Sequence, residues 1–200
     1  MRRYPSPKTY LGESVHQIHN TLTRRSVIKA GGALCVNSLL PFEATAAKRV
    51  RVPEVYRYYA DKHSVPAELL YSIAHVESYN PKTKSICHYA MNFNRTPYYF
   101  NSEEELLVNA KYLLENGYQN FDVGPVQVNW YWHQKKFNSI DSAVNAHTNL
   151  DVGTAYLKEK LNSNGDWLTA AGKYHSPSDR IAARNYSKKV LGWYKRLGYA

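Results

Sequence analysis

The sequence of 200 residues contains little cysteine, few acidic residues relative to basic ones, and no long apolar run. Its two cysteines, Cys35 and Cys87, exclude a disulfide-rich scaffold, so a hydrophobic core must hold the fold together. The pair Cys87-His88 has no second ligand pair at zinc spacing, which argues against a metal site. We therefore expect no metal site.

Basic residues outnumber acidic ones, with 26 Lys and Arg against 16 Asp and Glu and a formal net charge of +10. Such a surplus favours a polyanionic partner, of which nucleic acid, anionic lipid and the bacterial wall are examples. The basic residues are scattered, and no helix-turn-helix, zinc-finger or RNA-recognition signature accompanies them. We therefore do not expect nucleic acid as a partner.

The amino end has the pattern of an export signal. The run Thr23-Arg24-Arg25-Ser26-Val27-Ile28-Lys29 precedes a weakly apolar stretch, and Ala44-Thr45-Ala46 then supplies small residues for a signal peptidase. The run resembles a twin-arginine signal, although Val27 stands where such signals usually have Phe and Ile28 where they usually have Leu. A Sec signal with incidental arginines is the alternative.

The same stretch is a poor membrane anchor. Lys29, Asn37 and two glycines interrupt it, and it falls short of the ~20 apolar residues that span a bilayer. We expect residues 1–47 to be an export signal and residues 48–200 to form one domain that reaches the periplasm without a stable membrane span.

The pattern of residues 48–200 predicts an all-α domain of about six to seven helices and no strands. Pro53 and Pro66 suit first helical positions, and Ser102 with Glu105 predicts a capping box. Residues 82–101 are irregular and aromatic, which favours a surface loop or lid. The predicted helices are 53–63, 66–77, 103–116, 140–146, 149–162, 166–174 and 179–197.

Glu77 interrupts an apolar helical face. Leu70, Ile73, Ala74 and Glu77 follow the spacing i, i+3, i+4 and i+7, so three apolar side chains and one acid share a face. Burial at the edge of the core would raise the pKa of this carboxyl and leave it a proton to donate. From the spacing alone, a structural ion pair at the helix end is an equal alternative.

Four motifs in order resemble the lytic transglycosylase domain of the goose-lysozyme-like superfamily, which cleaves bacterial peptidoglycan. The resemblance covers roughly residues 54 to 195. The motifs are Glu77-Ser78 with Tyr79-Asn80-Pro81, Asp122-Val123-Gly124-Pro125-Val126-Gln127-Val128-Asn129, Asn149-Leu150 with Gly153 and Tyr156-Leu157, and Trp167 to Tyr174-His175.

Some residues depart from the usual motifs. Pro125 and Val126 replace Leu-Met, and His175 replaces Asn. With the aromatic residues after Glu77 and the run Asn129-Trp130-Tyr131-Trp132-His133, these departures resemble the branch of transglycosylases encoded with conjugation and type IV secretion systems. Components of such a complex are therefore expected partners besides the peptidoglycan strands.

The resemblance implies a single lysozyme-like domain of goose type in which one carboxyl group performs the reaction. Glu77 would protonate the glycosidic oxygen between N-acetylmuramic acid and N-acetylglucosamine. The ionised Glu77 would then take the proton of the C6 hydroxyl, and a 1,6-anhydro ring would close. The substrate's N-acetyl group would stabilise the cationic intermediate state, and neither a metal nor a cofactor is required.

The resemblance also implies a substrate-binding set: Ser78, Val126, Gln127, Tyr174 and His175. Gln127 offers a donor and an acceptor to the sugar, and Tyr174 would orient Glu77 or the N-acetyl group through its hydroxyl. Ser78 has a helix-end cap as its alternative role, and His175 a structural one.

Asp122 is a candidate second carboxylate. If it faced Glu77 across a water, roughly 6.5 to 9.5 Å away, the protein would be an inverting hydrolase of lysozyme type. A local turn or helix cap is the other interpretation of Asp122. A third hypothesis is a non-catalytic glycan-binding scaffold of a secretion system.

Overall fold

The computed structural model describes residues 49–200, so the expected export signal lies outside the described residues. In this range the chain forms eight α-helices, none of which is long and apolar enough to cross a membrane. The helices are α1 (Glu54–His63), α2 (Ala67–Ser78), α3 (Glu103–Glu115), α4 (Trp130–His133), α5 (Ile140–Val144), α6 (Ala146–Glu159), α7 (Trp167–His175) and α8 (Arg180–Arg196).

All seven predicted helices are present, with ends shifted by a few residues. Pro53 and Pro66 are N-caps rather than first helical residues. Ser102 accepts the backbone N–H of Glu105 as predicted, but the Glu105 carboxylate accepts from the N–H of Asn101 instead of closing the box on Ser102. The short helix α4 and the 3₁₀ turn Gln134–Lys136 were not predicted.

The prediction that the domain has no strands is wrong. Residues 82–101, which were expected to be a loop, contain three complete strands, two of which belong to a four-stranded sheet. Strands of two to four residues are too short for an alternating pattern to be recognised. The strands are β1 (Tyr79–Asn80), β2 (Ser85–Ile86), β3 (Ala90–Phe93), β4 (Thr96–Tyr99), β5 (Phe121–Val123) and β6 (Val128–Asn129). The four-stranded sheet has the order β4-β3-β5-β6, and all neighbouring strands in it are antiparallel.

The apolar face of α2 lies in the core. Leu70, Ile73 and Ala74 are almost fully buried, as their spacing predicted. Helix α8 packs against both α2 and α7. Gly172 on α7 allows the close approach of α8, because a Cβ at this position would lie 2.6 Å from Oγ of Ser187 on α8. This packing brings the end of α2, which carries Glu77, next to α8.

The turn between β5 and β6 requires a glycine at position 124. Gly124 has a φ of +83°, and a Cβ on it would lie 2.3 Å from Cγ of Asn149. The buried Asn149 side chain on α6 donates to the carbonyls of Val123 and Ala143, at 2.9 and 3.0 Å. Helix α6 therefore fixes the turn that carries Gln127.

Candidate active site

A cleft of about 780 Å³ lies between the end of α2, the four-stranded sheet and the helices α6, α7 and α8. Its volume is typical of small-molecule sites, which occupy roughly 300–1,000 Å³. Its lining residues are Val76, Glu77, Asn92, Asp122, Gln127, Val128, Asn129, Trp132, His133, Tyr156, Tyr174, His175, Pro177, Ser178, Tyr186 and Lys189.

Glu77 reaches the cleft from the last turn of α2. The hydroxyl group of Tyr186 on α8 donates a hydrogen bond of 2.5 Å to Oε1 of Glu77. Tyr186 is almost fully buried, and its ring stacks on His175 with the centroids 4.5 Å apart and the planes 7° from parallel. The hydroxyl that holds the acid is therefore itself fixed by packing.

Burial raises the pKa of the Glu77 carboxyl to about 8. The Tyr186 hydrogen bond opposes this rise, the negative charge of Asp122 adds to it, and the positive charge of Lys189 opposes it. Burial disfavours a charged carboxylate, so Glu77 holds a proton at neutral pH. No ion-pair partner lies within 4 Å of its carboxyl among residues 49–200, which removes the structural ion pair as its explanation.

Asp122 lines the same cleft from β5. Its Oδ1 accepts a hydrogen bond of 2.8 Å from Nδ2 of Asn129, and Oδ1 of Asn129 caps α4 by accepting the N–H of Trp132. Burial raises the pKa of Asp122 to about 6, and the Asn129 bond opposes the rise. The interpretation of Asp122 as a turn or cap residue is wrong, because it lies in a strand.

Gln127 lines the cleft with its donors already used. Its Nε2 donates to the carbonyls of Ala90 and Gly124, at 3.1 and 2.8 Å, and its own φ is +47°. The expectation that the side chain offers both a donor and an acceptor to the sugar is therefore wrong. Only the amide oxygen of Gln127 remains for a ligand.

Two residues of the expected substrate-binding set lie in the core instead. Ser78 is 0% exposed, and its Oγ donates to the carbonyls of Ala74 and Pro125, at 3.1 and 2.7 Å. Val126 is also 0% exposed, and its side chain lies against Gly153. Ser78 and Val126 therefore position the turn before Gln127, and neither one lines the cleft.

Tyr174 lines the cleft, but its hydroxyl donates to the carbonyl of Val126 at 2.6 Å rather than to Glu77. The expected contact with the acid is made by Tyr186 instead. His175 also lines the cleft; the residue as a whole is exposed, but one face of its ring is covered by Tyr186. Burial, followed by the charge of Lys189, lowers the pKa of His175, so its ring is neutral at neutral pH.

Sequence reasoning missed two cleft residues on α8. Tyr186 and Lys189 are separated by three positions on α8 and so share a face, but nothing in the sequence indicated that this face meets α2. Trp132 is 73% exposed beside the cleft, and a large aromatic residue in such a position offers a flat face to a sugar ring. Trp130 packs instead against the core and Phe137.

The arrangement provides a protonated carboxyl group, a second carboxyl group and flat aromatic faces in one cleft. A proton donor with a pKa near neutrality suits general acid catalysis, and the same group can later accept a proton. Residues 49–200 contain no group of three His, Cys, Asp or Glu side chains placed to hold a metal ion.

The family model described as "Transglycosylase SLT domain" matches residues 54–191. The matched span includes Glu77, Asp122 and Tyr186. No curated protein and no solved structure matches the chain.

Proposed function

The chain belongs to the transglycosylase SLT domain family, whose members are lytic murein transglycosylases acting on peptidoglycan, and we propose that Glu77 is its single catalytic acid and base. The observation that supports this role is the pKa of Glu77, raised to about 8 in a cleft of suitable size. At neutral pH the group enters the reaction with its proton, as a general acid must.

In the first step Glu77 gives its proton to the oxygen between N-acetylmuramic acid and N-acetylglucosamine. The bond from C1 of the muramic acid to that oxygen breaks, and the glucosamine leaves with a free hydroxyl. Tyr186 donates to Oε1, so the proton is carried by the other carboxyl oxygen. The hydrogen bond also stabilises the carboxylate that proton transfer leaves behind.

In the second step the ionised Glu77 takes the proton of the C6 hydroxyl of the muramic acid. The C6 oxygen bonds to C1, a 1,6-anhydro ring closes and Glu77 regains its starting state. No water is consumed. A pKa near 8 serves both steps, because the same group must give a proton and then take one.

Digestion of purified sacculi tests this proposal. Mass spectrometry of the released muropeptides should show products one water lighter than reducing muropeptides. The substitution Glu77→Gln should lower the rate by about 10²–10⁴-fold, the usual contribution of a general acid. Glu115→Gln, an exposed glutamate at the end of α3, is the matched control and should leave the rate unchanged. Full activity of the Glu77→Gln variant would contradict the role of Glu77, whereas release of no product by either protein would favour a glycan-binding scaffold.

A muramidase-type hydrolase is the second candidate function, and Asp122 is the observation in its favour. The two carboxyl groups line one cleft, and the charge of Asp122 affects the pKa of Glu77. With a pKa of about 6, Asp122 is ionised at neutral pH and is able to act as the base for a water molecule. Muropeptides with reducing ends, lost on Asp122→Asn, would establish this reaction in place of anhydro formation.

We further propose that the protein is exported to the periplasm and opens the wall locally for a conjugation or type IV secretion apparatus. The support is the twin-arginine-like pattern in residues 1–47 and the resemblance of the run from Asn129 to His133. Replacing both Arg24 and Arg25 with Lys should block a twin-arginine route, whereas continued secretion would favour Sec. A strain carrying Glu77→Gln should transfer conjugative DNA less often than the wild type.

A further inference from the structure

Two positive charges that the proposed chemistry does not use lie against a residue that lines the cleft. Tyr156 on α6 lines the cleft, and Nζ of Lys160 lies 4.2 Å from the centre of its ring. Nζ of Lys136 lies 5.7 Å from the same ring. Two ammonium groups therefore border an aromatic side chain that a glycan would meet.

The two lysines differ in their partners. Lys136 forms an ion pair of 2.5 Å with Glu159, which offsets its charge. Lys160 has no ion pair and no side-chain hydrogen bond to any residue of the range 49–200. A cation–π contact holds an ammonium group in place without neutralising it, so Lys160 keeps its N–H donors for an anion.

His133 and Trp132 also line the cleft. The His133 ring lies 4.3 Å from that of Tyr156 and lines the cleft. Burial lowers the pKa of His133, and the charges of Lys136 and Lys160 lower it further, so at neutral pH it is an uncharged hydrogen-bonding group. Trp132 beside it is mostly exposed. The cleft therefore offers a flat face for a sugar and a neutral imidazole here, and the Lys160 ammonium group lies beside them against the Tyr156 ring.

We propose that Lys160, with Tyr156 and His133, forms a subsite for a carboxylate carried by the side arm of muramic acid. The inference rests on the proposed function, since it concerns the same cleft and the same substrate. The glycan's sugar rings carry no charge of their own, so side-arm carboxylates are the anions that an ammonium group next to Tyr156 would meet. They come from two sources: the stem peptide where one is attached, and the lactyl group where the peptide has been removed.

Binding measurements in the Glu77→Gln background test the subsite without requiring cleavage. The three ligands are soluble peptide-bearing glycan strands, the same strands stripped by an amidase, and a chitooligosaccharide, which has no carboxylate. The added substitutions are Lys160→Gln, Lys160→Arg and Lys158→Gln. The last is the matched control, because Lys158 lies over Trp167 at 5.3 Å and its ammonium group donates to Ser64 rather than bordering Tyr156.

Lys160→Gln should weaken binding of a carboxylate-bearing strand about three- to fivefold at low salt, the size expected when a partly exposed charge pair is lost. The loss should shrink as salt rises, and Lys160→Arg should restore most of the affinity. Lys158→Gln should change nothing. An effect on peptide-bearing strands alone assigns the carboxylate to the stem peptide, and an effect on stripped strands alone assigns it to the lactyl group.

Two results would overturn the proposal: unchanged binding of both carboxylate-bearing strands by the Lys160→Gln protein, or an equal loss for the chitooligosaccharide. An equal loss for the chitooligosaccharide would mean that the substitution disturbs the cleft and that Lys160 does not bind a carboxylate. If the wild type binds carboxylate-bearing strands more tightly than the chitooligosaccharide but releases no muropeptides from sacculi, the subsite stands and the proposed catalysis fails.

Discussion

The hydroxyl of Tyr186 donates a hydrogen bond of 2.5 Å to Glu77, although the two residues are 109 positions apart in sequence. This bond is the only side-chain hydrogen bond to the Glu77 carboxyl from residues 49–200. A hydrogen bond to the charged form of an acid lowers its pKa. Tyr186 therefore limits how far burial raises the pKa of Glu77, and it steadies the carboxylate during the reaction.

Tyr186→Phe should move the basic limb of the pH–rate profile upward. The wild-type kcat/KM should fall above about pH 8, where Glu77 loses its proton. Without the hydroxyl the pKa of Glu77 rises further, so the limb shifts to higher pH. The turnover number should fall about tenfold, because the carboxylate formed in the first step loses its donor. Steady-state kinetics from pH 5 to pH 10 on soluble glycan strands measures both effects.

Tyr174→Phe is the control for this shift. Tyr174 lies in the same cleft, but its hydroxyl donates to the carbonyl of Val126. The substitution should lower the free energy of unfolding by about 1 kcal/mol and leave the basic limb in place. An equal shift in the two variants would mean that the Tyr186 hydrogen bond does not set the pKa of Glu77.

Glu77→Gln should stabilise the protein at neutral pH. The pKa of Glu77 is about 8 in the folded protein and near 4.5 in the unfolded chain. Between pH 4.5 and pH 8 the folded protein therefore keeps a proton that the unfolded chain has released. The free energy of unfolding falls as pH rises through this range and levels off above pH 8. Glutamine has no proton to release, so the variant should gain about 1–3 kcal/mol at pH 7 to 8 and nothing below pH 4.5.

Urea unfolding at pH 4 and pH 8 measures this difference. Glu115→Gln, at an exposed position, should show the same stability as the wild type at both pH values. If Glu77→Gln gains no stability between the two pH values, the Glu77 carboxyl is ionised in the folded protein at neutral pH, and its role as the proton donor would need another explanation.

The sequence allowed the helices to be predicted because each one is long enough for its apolar spacing to repeat. The face of Leu70, Ile73 and Ala74 located Glu77 at the edge of the core, and the structure bears this out. The strands were missed because they span two to four residues and include Pro97 on the edge strand β4. At that length the pairing of β3 with β5, not the local pattern, determines the conformation.

The site was predicted less completely than the fold, since a motif does not say which way its side chains point. Glu77, Asp122, Gln127, Tyr174 and His175 all line one cleft. Ser78 and Val126 belong to the same motifs but point into the core. Tyr186 and Lys189 were missed because they depend on the packing of α8 against α2, which no local pattern reveals.

Gly153→Ala should destabilise the protein and disturb the cleft. A Cβ at this position would lie 2.5 Å from Cγ2 of Val126 and 3.2 Å from the hydroxyl of Tyr174. Overpacking of this kind costs about 1–3 kcal/mol, and a displaced turn would also raise KM. Gly192→Ala on α8 is the control: no atom lies within 4 Å of a Cβ there, so helix propensity should make it neutral or stabilising. Thermal unfolding of the two variants measures this difference. Equal decreases in their unfolding midpoints would contradict the packing argument.

Asp122→Asn should move the basic limb of the pH–rate profile downward, in the direction opposite to Tyr186→Phe. The negative charge of Asp122 raises the pKa of Glu77, so its removal makes Glu77 a stronger acid. Titration of Asp122 should produce an acidic limb near pH 6 in the wild-type profile, and this limb should be absent from the Asp122→Asn profile. The same kinetic series checks both limbs.

Product analysis of the Asp122→Asn protein then separates the two reactions. If Asp122 acts only through its charge, the variant should be slower, by about tenfold, and still release anhydro muropeptides, because ring closure needs no second base. If Asp122 activates water, the reducing ends should vanish. A basic limb that stays in place with unchanged products would show that the two carboxyl groups do not interact during catalysis, and Asp122 would then be left as a structural partner of Asn129.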